Sequence, residues 1–262
     1  MKKYKLIAID IDGTLLNNDK KILDETKNDI IKSYKNGCHI VIATGRSYVA
    51  AKQYFEQFTF NIPLILFNGA SIKMSKEDRE IYNKTLSNEL AIKIYNLVNE
   101  NLGTCCFWIG DKVYFNKEND YSFYYEKLTS IKPEIIYGDF NLENVNKFIW
   151  FDKPNNLTKI QNDLLSQIAG INYFKSQTEM LEIVPIGVSK GIALEYLANL
   201  LNINNFEVIA IGDDENDISM IRYAGLGVAM ENAKDIVKKE ADYITESNEK
   251  NGVGKVINKF IF

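Results

Sequence analysis

The 262-residue chain is 46% hydrophobic and 25% charged, ordinary values for a soluble globular protein of one large domain or two smaller ones. Its net charge of −4 offers no electrostatic footprint for nucleic acid or an anionic membrane, and no stretch approaches the roughly 18–20 apolar residues of a spanning helix. The start, MKKYKLIAID, has a positive end and a short apolar run. Asp10 and Asp12 break that run before a signal-peptide core is complete, so no secretion signal is expected.

The first third alternates strands and helices. KLIAID is a continuous apolar run, as expected of a strand covered on both faces. Asp24 is placed to cap a helix running to Tyr34, with Ile30, Ile31 and Tyr34 on one side and Gly37 past the end. HIVIAT is a second buried strand. Ser47 caps the next helix, where Ala51, Tyr54, Phe55 and Phe58 recur at helical spacing, and PLILFNG is a third strand. This order predicts a parallel sheet with right-handed crossovers.

From about Leu86 the grammar changes. A helix carries Leu90, Ile94, Leu97 and Val98 on one face, then TCCFWI and KVYF flank Gly110-Asp111, a two-residue hairpin signal. A helical stretch near Asp120–Leu128, the strand KFIWF, a helix around Leu157–Ile168 and the strands INYF and MLEIV follow. The last third returns to the first pattern: the helix GVSKGIALEYLANLL, the strand EVIAIG, the helix DISMIRYAG, the strand LGVAM, the helix ENAKDIVKKEA and an edge strand DYIT. The expected fold is therefore α/β, a Rossmann-like doubly wound parallel sheet formed by residues 1–84 and 187–262. It is interrupted by an inserted α+β domain at residues 85–186.

Three cysteines, Cys38, Cys105 and Cys106, with no Cys-x-x-Cys, argue against a disulfide frame or a zinc site and for reduced packing residues in a cytoplasmic protein. His39 is the only histidine, which removes multi-histidine metal sites.

Ligands of open parallel sheets bind beyond the carboxyl ends of the strands. Those ends carry Asp10, Asp12, Gly13 and Thr14; Thr44, Gly45 and Arg46; Asn68 and Gly69; and Asp213, Asp214, Asn216 and Asp217. Singly, Asp-Gly is a common turn and GDDEND an ordinary helix-capping loop. Together they set acids at two strand ends of one rim, where like charges cannot all ionise without compensation. A hard divalent cation supplies it, and magnesium takes such oxygen ligands while keeping positions open for water and phosphate.

DIDGTL, ATGR, SKG and GDDENDISM, in this order, resemble the four motifs of the haloacid dehalogenase superfamily. The large insert between the second and third motifs, the NGA at Asn68–Ala70 and LEIVPIGVSKG are similar to the Cof-like phosphatases. The resemblance implies that Asp10 is a nucleophile forming an aspartyl-phosphate, and that Asp12, protonated in the first step, serves as acid and then as base. It implies Mg²⁺ held by Asp10, the backbone carbonyl of Asp12 and Asp213. Asp217 backs a metal-bound water or Lys190, and Asp214 is a weaker candidate for that role. Thr44, Lys190, Asn216 and the amides near Ile11 and Gly45 are implied to bind the phosphoryl oxygens. Arg46 is left between touching the leaving group and pairing with an acid. Glu182 lies near the return from the insert, and the insert itself is expected to choose the substrate. The implied activity is Mg²⁺-dependent hydrolysis of small phosphorylated metabolites, such as sugar phosphates or phosphorylated cofactors. The alternatives are a phosphomutase and a non-catalytic aspartyl-phosphate receiver, the latter disfavoured by a base as close as Asp12.

Overall fold

The structure, a computed structural model, describes residues 4–77, 79–138 and 140–262. Lys2 and Lys3, which make up the positive end of the chain's start, lie outside the described residues. The chain forms β1 (Leu6–Asp10), α1 (Asp24–Lys35), β2 (His39–Ala43), α2 (Tyr48–Phe55), β3 (Pro63–Leu66), β4 (Ser71–Met74) and β5 (Glu80–Asn83). There follow α3 (Asn88–Glu100), β6 (Thr104–Ile109), β7 (Lys112–Phe115), α4 (Asp120–Thr129), β8 (Glu134–Ile135), β9 (Val145–Phe151), α5 (Pro154–Lys159), β10 (Ile171–Gln177) and β11 (Met180–Pro185). The chain closes with α6 (Lys190–Leu200), β12 (Val208–Gly212), α7 (Ile218–Tyr223), β13 (Leu226–Ala229), α8 (Asp235–Glu240), β14 (Tyr243–Ile244) and α9 (Gly252–Phe260). These elements divide into two compact units, one ending at Tyr82 and resuming over Ser189–Phe262, the other Asn83–Val188.

The first unit is built on a sheet ordered β14-β13-β12-β1-β2-β3-β4-β5. Pairing is parallel from β14 to β3. Both faces are covered, which is why the strands read as unbroken apolar runs. Leu6, Ala8, Val41, Ala43, Ile65, Val208 and Ala210 pack with Ala193, Leu194 and Leu197 of α6. Ile7, Ile9, Ile40, Ile42, Ile209 and Ile211 are buried on the other side. Truncating one of these isoleucines to alanine costs about 2–5 kcal/mol.

Local details depart from expectation in four places. Leu23, not Asp24, holds the cap position of α1; Asp24 and Glu25 lie in the first turn, where their charge complements the helix dipole without a capping bond. The buried face of α1 runs through Thr26, Ile30 and Ser33, while Tyr34 is exposed and stacks on Phe60 at 3.7 Å. β4 and β5, unforeseen, extend the sheet because the Asn68-Gly69 turn returns the chain antiparallel to β3. The helix expected over Leu157–Ile168 starts at Pro154 and loses α geometry after Lys159, continuing as a π turn and a 3₁₀ turn. Ser47 does cap α2, accepting the amide of Ala50 at 3.3 Å.

The second unit is a six-stranded sheet, β10-β11-β9-β6-β7-β8, antiparallel throughout except between β7 and β8. The Gly110-Asp111 hairpin forms between Ile109 and Lys112. Strand alternation sends Cys105, Phe107, Phe148, Trp150, Leu181 and Ile183 into one core with Ala91, Ile94 and Val98 of α3. The opposite face holds Cys106, Trp108, Lys147 and Glu182. There the Trp108 indole donates to Tyr125 at 3.0 Å, and a buried Lys147–Glu182 ion pair spans 3.1 Å. Glu182 is thus partnered inside its own unit. No described helix is long and apolar enough to cross a membrane.

Candidate active site

Sheet register brings the site together. Asp10 ends β1 opposite Ala43, and Ile9 pairs with Ile211, so residues 10, 44 and 213 fall within one residue of a common row. The carboxylates of Asp10, Asp213 and Asp217 each offer an oxygen within 4.8 Å of the others. Into this group comes Lys190, the first residue of α6, with Ser189 as its cap. Its ammonium lies 2.5 Å from Asp10 Oδ1 and 2.6 Å from Asp217 Oδ1, and the side chain is wholly buried. An exposed lysine at a helix start would oppose the dipole; here two carboxylates override it.

Each acid is held differently. Asp217 Oδ2 accepts the backbone N–H groups of Asp213 and Asp214, at 2.9 and 3.0 Å, so both its oxygens are committed. Asp213 Oδ1 accepts the Thr14 hydroxyl at 2.8 Å, while Oδ2 lies only 2.2 Å from where a Cβ on Gly13 would sit. Only glycine permits that approach, and Gly13 is also left-handed at φ +82°. Asp214 turns away to Lys234 at 2.6 Å and lies outside the cluster.

The charges do not balance. Three carboxylates face one ammonium, a deficit of two positive charges. Burial, then the charges of Asp217 and Asp213 against the pull of Lys190, push the Asp10 carboxyl well above its usual range. Asp213 is pushed up to about 7, by burial and by Asp217 and Asp214, against the Thr14 hydrogen bond and Lys190. Burial alone would pull Lys190 down, but Asp10 and Asp217 more than reverse that and keep it an ammonium. An all-oxygen donor set short by two charges fits a hard divalent cation such as Mg²⁺.

Asp12 points elsewhere. Arg46 grips it with both arms, Nε to Oδ2 and Nη2 to Oδ1 at 2.7 Å each, and Lys20 adds a 3.2 Å contact. Burial raises its pKa, but the Arg46 and Lys20 interactions together outweigh that and hold the carboxyl below its usual range. Of the two options for Arg46, the structure shows pairing with an acid.

The remaining residues line the same rim. Thr44 is buried, and its hydroxyl accepts the amide of Arg46 at 3.1 Å. Ile11 follows Asp10 directly, and its carbonyl accepts the Leu16 amide. Gly45 packs against Asn68, whose side-chain oxygen accepts an amide N–H of Asn216 at 2.9 Å. Sequence reading set Asn68 on this rim but gave it no chemical role. Asn232 was also missed: it donates to the Gly13 carbonyl at 2.8 Å and tethers the β1 loop.

A family model of haloacid dehalogenase-like hydrolases matches residues 7–257. The 5-amino-6-(5-phospho-D-ribitylamino)uracil phosphatase YcsE of Bacillus subtilis is 32% identical over 264 residues, covering 98% of this chain and 96% of that protein. The phosphatase YitU, which carries the same activity name in that organism, is 27% identical with 98% of both chains covered. Among solved structures, a haloacid dehalogenase-like hydrolase from Bacteroides thetaiotaomicron superposes with a TM-score of 0.88 at 32% identity, over 98% of this chain and 99% of the other.

Proposed function

The chain belongs to the haloacid dehalogenase-like hydrolase family, and from that premise we propose that it hydrolyses phosphate monoesters of small metabolites, Mg²⁺-dependently, through an aspartyl-phosphate on Asp10. The observation that carries this reading is the Asp10–Asp213–Asp217 cluster, short of two positive charges and threaded by a buried lysine. The relatives named as phosphatases support hydrolysis over transfer to a second substrate position.

Asp10, Asp213 and the backbone carbonyl of Asp12 would hold the metal, and Asp217 keeps Lys190 and the Asp213 backbone in place. When bound, magnesium neutralises the clustered carboxylates and the charge of the incoming phosphoryl group. Lys190 holds one oxygen of Asp10, leaving Oδ2 to attack phosphorus as the bond to the leaving oxygen breaks. Thr44, Asn216, the remaining N–H of Lys190 and the amides near Ile11 and Gly45 receive the phosphoryl oxygens. Asp12 protonates the leaving oxygen, then takes a proton from the water that attacks the phosphoryl-aspartate. For the first of these steps Arg46 must release Asp12, and a phosphorylated substrate is a competing anion for that guanidinium.

Substrate choice is assigned to the inserted unit, Asn83–Val188. Phosphorylated sugars or sugar-like cofactor precursors are the proposed class, on the strength of the ribityl phosphates named for the relatives. The buried thiols of Cys38, Cys105 and Cys106 suit a reducing cytoplasm. The test is phosphate release from a panel of phosphometabolites with Mg²⁺ and with EDTA, beside Asp10→Asn. Metal-dependent release lost in that variant is expected; equal rates in EDTA would overturn the reading.

A further inference from the structure

Between β3 and β4 the backbone does something the mechanism does not use. Phe67, Asn68 and Gly69 are left-handed in succession, with φ of +50°, +57° and +106°. For non-glycine residues that conformation is disfavoured, and it persists only where the surroundings enforce it. Two consecutive non-glycine residues carry it here, in the unit's interior: Phe67 and Asn68 are both buried.

The surroundings are two other strand-end loops and the start of α6. Phe67 N–H donates to the Arg46 carbonyl at 3.1 Å, and Asn68 N–H to the Thr44 carbonyl at 3.0 Å. The Asn68 side chain lies over Gly45, where a Cβ would be 2.9 Å from its Oδ1. Gly69 backs onto the residue before Lys190, with a Cβ position only 2.2 Å from the Ser189 carbonyl. Finally, Asn68 Oδ1 accepts from Asn216 Nδ2 at 2.9 Å. One three-residue turn thus touches the loop carrying Thr44 and Gly45, the loop carrying Asn216, and the cap of the helix that begins at Lys190.

We propose that Asn68 is a positioning residue for phosphoryl transfer: it fixes the Asn216 amide so that this group presents its second N–H to a phosphoryl oxygen. This deepens the reading above and rests on it. An asparagine amide is free to present either end to a ligand. By accepting one N–H of Asn216, Asn68 fixes that amide group in place, with its second N–H available to an anion. A donor placed before the charge develops costs no reorganisation when it does. The left-handed backbone is what lets one side chain lie against Gly45 and reach Asn216.

The test compares wild type, Asn68→Gly, Asn216→Ala and the double variant, using an aryl phosphate with Mg²⁺ as substrate and inorganic phosphate as inhibitor. Glycine is at ease at φ +57°, so it removes the side chain while relieving the backbone. Each single variant should lose about ten- to hundredfold in kcat and bind inorganic phosphate more weakly, with Mg²⁺ affinity and thermal midpoint near wild type. The double variant should be no worse than Asn216→Ala within about threefold, since the two residues act as one unit. Losses that multiply, an Asn68→Gly or Asn216→Ala variant as active as wild type, or an Asn68→Gly variant that fails to fold would each overturn the inference. A wild-type protein that releases no phosphate from any monoester would instead bring down the reading of the whole site, a result distinguishable from these.

Discussion

Replacing Lys190 with methionine keeps the length and volume of the side chain and removes its charge. The ammonium is completely buried and bonds two carboxylates, one of them on Asp217, which has no exposure at all. Breaking such a pair by removing one partner costs about 3–5 kcal/mol, because the other stays buried and uncompensated. A second route gives the same size: the orphaned carboxyl can instead take up a proton, which at pH 7 costs an ordinary carboxyl of pKa about 4 roughly 4 kcal/mol. The two estimates agree, and the second carries a pH dependence. In the variant the Asp10 carboxyl, already held above its usual range, loses the ammonium that pulls it down, so it binds a proton still more tightly in the folded state and stability falls as pH rises through and above its ordinary value. The deficit against wild type should therefore be about 3–5 kcal/mol at pH 7.5 and shrink by about 1.4 kcal/mol per unit for each proton taken up as pH drops toward 5. Urea denaturation followed by circular dichroism, in EDTA at pH 5.5 and 7.5, measures it. A deficit below about 1 kcal/mol, or the same at both values, would refute the charge reasoning.

Other expectations follow from the same geometry. Because the metal-free Asp213 carboxyl sits at about 7, protons compete with the cation; apparent Mg²⁺ affinity by calorimetry should climb as pH rises to and through 7, then level off, and a flat profile from 5.5 to 8 would count against it. Gly13→Ala puts a methyl group onto the Asp213 carboxylate, so Mg²⁺ affinity should fall at least tenfold while circular dichroism remains native. Arg46→Leu frees Asp12 from the guanidinium that lowers its pKa; the alkaline limb of kcat/KM, where the leaving-group acid is lost, should move to higher pH, and an unmoved limb would exclude Asp12 as that acid.

The parallel sheet was legible because strands buried on both faces leave unbroken apolar runs, and LIAID, HIVIA and VIAIG are such runs. Acids immediately following two of them were legible as a shared rim, since register carries neighbouring strand ends to one edge. What sequence could not specify is partner choice. Asp12 and Asp213 are both rim acids, yet one lies in an arginine fork and the other over a glycine, a difference set by side-chain direction across 200 residues of chain separation. Asp214 and Asp217, three apart, point to a surface lysine and a buried one. Asn68-Gly69, read as the end of the strand PLILFNG, is instead a turn; its second role, touching two other strand-end loops and the start of α6, exists only once these are folded beside it. The irregular end of α5 has no local cue either, since Ile160–Leu164 contains no proline or glycine.

The most direct test of the account is covalent. An acid-quenched single turnover with Mg²⁺, followed by reduction with borotritide, which displaces the phosphate and leaves tritium-labelled homoserine, and then by peptide mapping, reports whether a carboxyl carried the phosphoryl group. The account predicts label at Asp10 in the wild-type protein and none in Asp10→Asn. Turnover with no label at any acidic residue, or label retained when Asp10 is replaced, would contradict it.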